Sequence, residues 1–292
     1  MKNPFQKQVR NNTFSDNDFE RLSIFIYNNF GIRIPKSKKT MLPEWLNNRI
    51  ETLGIPSFKD YIDRVLDPNI RDDELTHFID VVTTNKTGFF HEPEHFEYLA
   101  RKVLPKLVQN NGAGVGRPLM LWSAGCSSGE EPYTLTMVLK EFSEHIPGIN
   151  FKAKILATDI SNKALRKAQN AVYKMQKVEE LPLQIKKKYL LKSKDSRKNI
   201  VRIDPDLRSM VSFRQLNLMD EKFGLREAFD VIFCRNVIHY FDNSTKEQII
   251  NKFYNHINPG GFLFIGNSET LDNINTPFQK ITPTIYHMPE KT

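Results

Sequence analysis

From Pro118 onward the chain alternates apolar runs of strand length with stretches of helical period, and this alternation limits the possible folds more than any other feature. PLMLWSA, AKILATD, FDVIFCRN and GGFLFIGN are apolar enough to be buried on both faces; YTLTMVLKEF, SNKALRKAQNAVY and TKEQIINKFYNHI fall between them. Strands alternating with helices pair in parallel, so the pattern predicts an α/β domain whose sheet is covered by helices on both faces. Ser161 stands where it can cap the second of those helices. PFQKI and TIYHM, on either side of a Thr-Pro pair, predict an antiparallel hairpin at the sheet edge. Residues 171–213 break the alternation, with a helix around 183–191 and short strands near Ile200 and Val211, and read as an insertion.

Residues 16–80 carry no strand pattern. Phe19, Leu22, Ile26 and Phe30 recur at helical spacing behind an acidic start, and Gly31 ends that helix. Further helices are predicted over 41–53, 58–66 and 72–81. The organisation expected is a small helical domain over 1–82 and an α/β domain over 83–292, with a β-subdomain inserted at about 172–213.

Hydrophobic residues make up 39% and charged residues 26% of the 292, the balance of a globular domain with its own core. No run reaches the roughly eighteen apolar residues of a membrane span, and MKNPFQKQVRNNTF lacks the apolar stretch of a secretory signal. A cytoplasmic protein without membrane insertion is expected. Cys126 and Cys234, far apart and each in an apolar segment, read as buried reduced thiols. The net charge of +8 is uneven: residues 163–202 hold 13 Lys and Arg against 3 Asp and Glu. Such a stretch favours an acidic partner, whether a protein surface, a nucleic acid or an anionic membrane, and a merely solvated basic face fits the charge equally well.

LWSAGCSSGEEP follows the first strand, at the carboxyl edge where a doubly wound sheet binds its ligand. Gly125 and Gly129 allow a tight turn and close approach. The spacing is not the dinucleotide fingerprint, and no Lys-Ser/Thr pair follows as in a phosphate-binding loop. Instead Glu130 and Glu131 stand at the helix start. Two carboxylates there repel a pyrophosphate and accept a cation, which disfavours NAD and nucleoside triphosphates and fits a sulfonium amino-acid nucleoside. Asp159 ends the second strand, placed either to accept from ribose hydroxyls or to cap the next helix. Asn217 follows the next strand, where an amide can read an adenine edge. RNVIHYFD brings Arg235, Asn236 and Tyr240 to the same rim, although an aromatic at 240 suits a core equally. His91 and His95 are the one histidine pair at metal spacing; no third ligand is near, and no metal is expected.

TTNKTGFFHEPEHF, LWSAGCSSGEEPYTL, ATDIS, FDVIFCRNVIHYFD and PGGFLFIGNSE together resemble, in order and spacing, the successive motifs of the CheR family of chemotaxis methyltransferases. The resemblance covers nearly the whole chain. It implies an N-terminal helical domain and a Rossmann-like class I methyltransferase domain with an inserted β-subdomain. It implies S-adenosyl-L-methionine as cofactor and S-adenosyl-L-homocysteine as product. The implied partners are the cytoplasmic domains of chemotaxis receptors, whose glutamate carboxylates are esterified by a monomeric enzyme. Carried over, Asn85 and Thr87 resemble cofactor contacts ahead of the domain, with Gly125 in the glycine loop. Glu131 resembles the residue facing the methionine amino group, and Asp159 the ribose ligand. Asn217 with Leu218, and Arg235 with Asn236, resemble the segments lining adenine and the rest of the cofactor. Tyr240 resembles the tyrosine beside the transferred methyl. The family's FFRE is FFHE here, so His91 takes an arginine's place near cofactor and substrate, and KSKDSRKN replaces glycines common in the β-subdomain.

This chemistry requires few groups. A glutamate, with a reference pKa of about 4.3, is already a nucleophile at neutral pH. Alignment of the two reactants then supplies much of the catalysis, so neither a triad nor a metal is needed. Two rival readings remain at this level. One is a nucleic-acid methyltransferase, which the basic insertion suits; against it stand the lack of a zinc module or RNA-binding aromatic motif, and CRNV in place of the Asn/Asp-Pro-Pro-Tyr/Phe loop. The other is a non-catalytic S-adenosylmethionine-binding signalling protein in which His91 has displaced a working arginine.

Overall fold

The apolar runs all become strands in the computed structural model, which describes residues 13–67, 74, 78–79, 87–146, 148, 150–195 and 197–290. In chain order these are β1 (Leu119–Ala124), β2 (Ala153–Asp159), β3 (Val172–Lys174), β4 (Leu190–Lys192), β5 (Ile200–Ile203), β6 (Val211–Gln215), β7 (Phe229–Cys234), β8 (Ile257–Ile265), β9 (Gln279–Thr282) and β10 (Ile285–His287). Seven of them form one sheet in the order β6-β2-β1-β7-β8-β10-β9. Pairing is parallel from β6 to β8, and β10 runs antiparallel to both β8 and β9. The chain leaves β1 toward β2 and β6, then crosses back to β7 and β8, so the strand order reverses between β1 and β7. At such a switch point the flanking loops part, opening a crevice at the carboxyl ends of the strands.

One sequence expectation changes. Val211 begins β6, which pairs with β2 from Ile155–Val211 to Asp159–Gln215 and so belongs to the large sheet. VSFRQ lacks a continuous apolar run because β6 is the exposed edge of that sheet. The irregular stretch closes on itself instead, as a three-stranded antiparallel sheet in the order β3-β5-β4. Tyr133, Tyr173, Val178, Val201 and Ile203 bury its inner face against the helix Glu130–Glu144.

All six residues of β7 are buried, as a strand covered on both faces requires. On one side Phe96, Phe233 and Phe264 stack, with ring centroids 5.8 and 4.4 Å apart, among Leu121, Leu135 and Leu139. On the other, Trp122 meets Phe223, Phe229 and Phe253, and its indole N–H donates to Thr158 Oγ1 at 2.9 Å. Each such ring contributes about 1.5–3 kcal/mol by leaving water. The sequence pattern missed a helical segment that packs here: Pro93–Tyr98, a π-helical turn at Leu99–Val103, and Leu104–Asn111. Pro105 has no N–H for Arg101 and would press on its carbonyl, and the wider turn relieves both.

The chain divides into compact units Met1–Thr84 and Asn85–Thr292. In the first, helices Asp16–Phe30, Leu42–Leu53 and Phe58–Leu66 match the sequence pattern, and Ser15 and Asp18 form a capping box on the first. Most of the helix expected over 72–81 lies outside the described residues. Within it Glu74 is buried and accepts from Tyr61 Oη at 2.8 Å and from Arg49. Among the described residues no helix is long and apolar enough to cross a membrane.

Candidate functional site

The loop after β1 must turn inside a narrow space. Gly125 has φ 83°, and a Cβ there would lie 2.4 Å from Val237 Cγ2, so only glycine fits between this loop and the turn after β7. The amides of Gly125 and Cys126 donate to the Thr158 carbonyl at 2.8 and 2.9 Å, which ties the loop to β2. Ser127 follows at φ 48°, and its amide donates to Asp159 Oδ2 at 2.8 Å. Asp159 Oδ1 accepts from the Ser161 amide at 2.9 Å. Ser161, not Asp159, caps the helix Asn162–Asn170, taking the Ala164 amide at 3.0 Å. Asp159 is thus a carboxylate held by amide dipoles at the end of β2, against the glycine loop.

The two loop glutamates diverge. Glu130, with a side chain 1% exposed, turns toward the insertion, accepting from Ser128 Oγ at 2.7 Å with Lys177 Nζ 3.6 Å away. Glu131 turns toward the rim, where Ser123 Oγ donates to Oε1 at 2.7 Å and Arg235 Nε to Oε2 at 2.8 Å.

Arg235 is the hub of the β7 side. Its side chain is 3% exposed, and its Nη1 lies 3.0 Å from Glu92 Oε2 and 2.9 Å from His95 Nδ1. The guanidinium carbon stands 5.0 Å from the centre of the Phe96 ring. Through these bonds Arg235 fixes Glu131 and Glu92 at the rim. Burial alone would raise the Glu92 carboxyl, but hydrogen bonds from His95 and the Asn267 amide, with the Arg235 charge, hold it down at about 2. Glu92 Oε1 also accepts from Asn236 Nδ2 at 3.5 Å.

The other expected residues fall around this frame. Thr87 accepts Lys177 Nζ on its carbonyl at 2.9 Å, while Asn85 lies outside the described residues. His91 is exposed, on the turn between Phe90 (φ 51°) and Glu92 (φ 58°). Asn217 folds back so that its Oδ1 accepts the Met219 amide at 3.0 Å, and Leu218 beside it is buried. Tyr240 ends a short 3₁₀ turn, its ring 4.1 Å from that of His239. The geometry joins Glu131 to Arg235, Asn236 to Glu92, and Asp159 to the glycine loop; His91 and Tyr240 stand apart from these bonds. Glu92, Glu269 and Lys177 were not singled out from the sequence. Glu92 and Glu269 stood inside FFHE and GNSE, but nothing local in the sequence links either to the β7 turn it binds.

Asp159, Glu131, Glu92 and Glu269 converge on the strand ends, and Arg235 is the one arginine or lysine bonded to them among the described residues. A site so rich in anions resists a pyrophosphate and fits a ligand bearing ammonium and sulfonium charges with a ribose to be gripped. S-adenosylmethionine is such a ligand. Asp159 stands at the end of β2, Glu131 at the start of the helix after the glycine loop, and Asn217 two residues past β6.

Comparison with known proteins points the same way. The family model for the CheR methyltransferase SAM binding domain matches residues 85–287, and that for the CheR methyltransferase all-alpha domain matches residues 17–83. A chemotaxis protein methyltransferase of Borreliella burgdorferi is 41% identical over 276 residues, covering 94% of this chain and 95% of the relative. Its counterpart in Escherichia coli is 34% identical, covering 93% of this chain and 91% of the relative.

Proposed function

Because the chain belongs to the CheR methyltransferase family, we propose that it esterifies glutamate side chains in the cytoplasmic domains of chemotaxis receptors. It is an S-adenosylmethionine-dependent methyltransferase. What supports the finer reading is the match to chemotaxis methyltransferases along nearly the whole chain, together with a glutamate nucleophile that arrives already ionised and needs no general base.

When bound, the cofactor supplies an electrophilic methyl carbon on a positively charged sulfur. The chain's residues bind and align. Asp159 would hold the ribose hydroxyls, Glu131 the amino group, Asn217 and Leu218 the adenine, and Asn236 with Arg235 would line the rest of the cofactor. Tyr240 stands next to the transferred methyl, and His91 meets the incoming carboxylate. The carboxylate oxygen would take the methyl group from sulfur, which would keep the electron pair of the broken bond as S-adenosylhomocysteine is released. The requirement is geometric: donor and acceptor in line and close.

Calorimetry tests the assignment. S-adenosylhomocysteine is expected to bind where NAD and ATP do not, and Asp159→Ala to weaken it by about 1–3 kcal/mol. Asp159→Asn should fall between, since it keeps one acceptor for the loop amides. An Asp159→Ala protein that binds like wild type would exclude this site.

A further inference from the structure

Glu269 is a buried carboxylate with no part in the contacts proposed above. It lies four residues beyond β8, and its side chain is 1% exposed. Oε2 accepts from the amides of Gly266 at 2.7 Å and Asn236 at 3.0 Å. Oε1 accepts from His239 twice, through the backbone amide at 3.1 Å and Nδ1 at 3.2 Å. Four donors thus occupy the roughly four lone-pair sites a carboxylate offers. Three of the four are backbone amides, so peptide dipoles hold the charge.

The two oxygens divide the turn after β7 between them. One grips its start, where Asn236 sits at φ 58°; the other grips its end, where the His239 ring lies 4.1 Å from Tyr240. The approach leaves no slack, for a Cβ on Gly266 would stand 2.7 Å from Asn236 Oδ1. We propose that Glu269 and His239 are positioning residues: Glu269 fixes Asn236 for the cofactor, and His239, anchored to Glu269, sets the ring of Tyr240 beside the methyl. This rests on the roles given to Asn236 and Tyr240 above.

The test uses the full chain, with S-adenosylhomocysteine affinity by calorimetry, methyl transfer to a receptor cytoplasmic fragment, and thermal unfolding measured side by side. His239→Ala should lower kcat about tenfold or more, the cost of a misplaced contact at the reacting centre, while Kd stays within about twofold of wild type. His239→Phe, which keeps a flat ring against Tyr240 but loses the Nδ1 bond to Glu269, should recover only part of that loss, and full recovery would overturn the anchoring. Glu269→Ala frees both ends of the turn and should raise Kd by about tenfold as well as lowering kcat. Normal kcat in His239→Ala would overturn the proposal, as would losses in both variants that follow only the fall in Tm. Should the wild type methylate no receptor fragment, the proposed function fails on its own. Glu269 is then judged by affinity, where wild-type Kd in Glu269→Ala refutes it and a raised Kd at unchanged Tm upholds it.

Discussion

At φ 58° and ψ 67°, Glu92 occupies left-handed backbone that costs a residue with a side chain about 1–3 kcal/mol. What over-determines that conformation is its carboxylate, bonded to Arg235 at 3.0 Å and to the Asn267 amide at 3.1 Å. A carboxyl depressed from 4.5 to about 2 stabilises the native state fully above about pH 5, and the contribution is lost as pH falls toward 2. Its size is on the order of 2–3 kcal/mol. Denaturant unfolding of wild type and Glu92→Gln should therefore differ by this amount at pH 7 and converge as pH falls from about 5 toward 2; a constant gap would show that the charge is not involved. By the proposal above, the neighbouring His91 meets the substrate carboxylate. Arginine would grip a carboxylate with two parallel bonds, whereas a histidine offers it one donor. His91→Arg is expected to lower the KM for receptor and His91→Ala to raise it. An unchanged KM in His91→Ala would remove His91 from the substrate contact. The positions of Asp159 and Glu131 at the sheet edge were legible because Asp159 closes an apolar strand and Glu131 opens the helix after the glycine loop. That of Glu92 was not, since its partner Arg235 is 143 positions away and only the closed sheet brings them together.

At the scale of elements, the insertion does more than present a basic face. Tyr173 Oη donates to the Ser128 carbonyl of the glycine loop at 2.8 Å, and Lys177 reaches both Thr87 and Glu130. The ring of Phe89, beside Thr87, meets Tyr173 edge-on at 5.0 Å. The segment that opens the second unit, the glycine loop and the insertion therefore share one junction. Each hydrogen bond there contributes about 0.5–1.5 kcal/mol, so Tyr173→Phe and Lys177→Met are expected to weaken cofactor binding roughly 2–10-fold apiece. Calorimetric affinities equal to wild type in both would make the insertion independent of the cofactor site. Periodicity located β1, β2, β7, β8 and the three described N-terminal helices because each is buried on a regular face. It misplaced β6, half-exposed at a sheet edge, and missed the helical segment interrupted at Pro105, where a proline and a π turn disrupt the 3.6-residue repeat.

Across the whole molecule, charge is segregated. The chain carries +8 overall, yet the ends of the central strands gather carboxylates, while the basic residues concentrate between 163 and 202. Not every lysine of that stretch is available to a partner. Lys188 bonds Glu141 and Glu144 of the glycine-loop helix, both at 2.7 Å, and Arg197 bonds Asp195. Lys187, Lys192, Lys194 and Lys198 are exposed on the insertion and, on the proposed function, would draw in an acidic receptor surface by long-range attraction that salt screens. An anionic rim for a sulfonium cofactor beside a cationic platform for an acidic protein is the central claim, and the product of the reaction tests it most directly. The full chain would be incubated with methyl-labelled S-adenosylmethionine, a receptor cytoplasmic fragment and, separately, RNA, and the label then located by peptide mass spectrometry. The expected result is a base-labile methyl ester on glutamates of the receptor fragment and no label in RNA. Label in RNA, or a base-stable methyl on any other side chain, would contradict it.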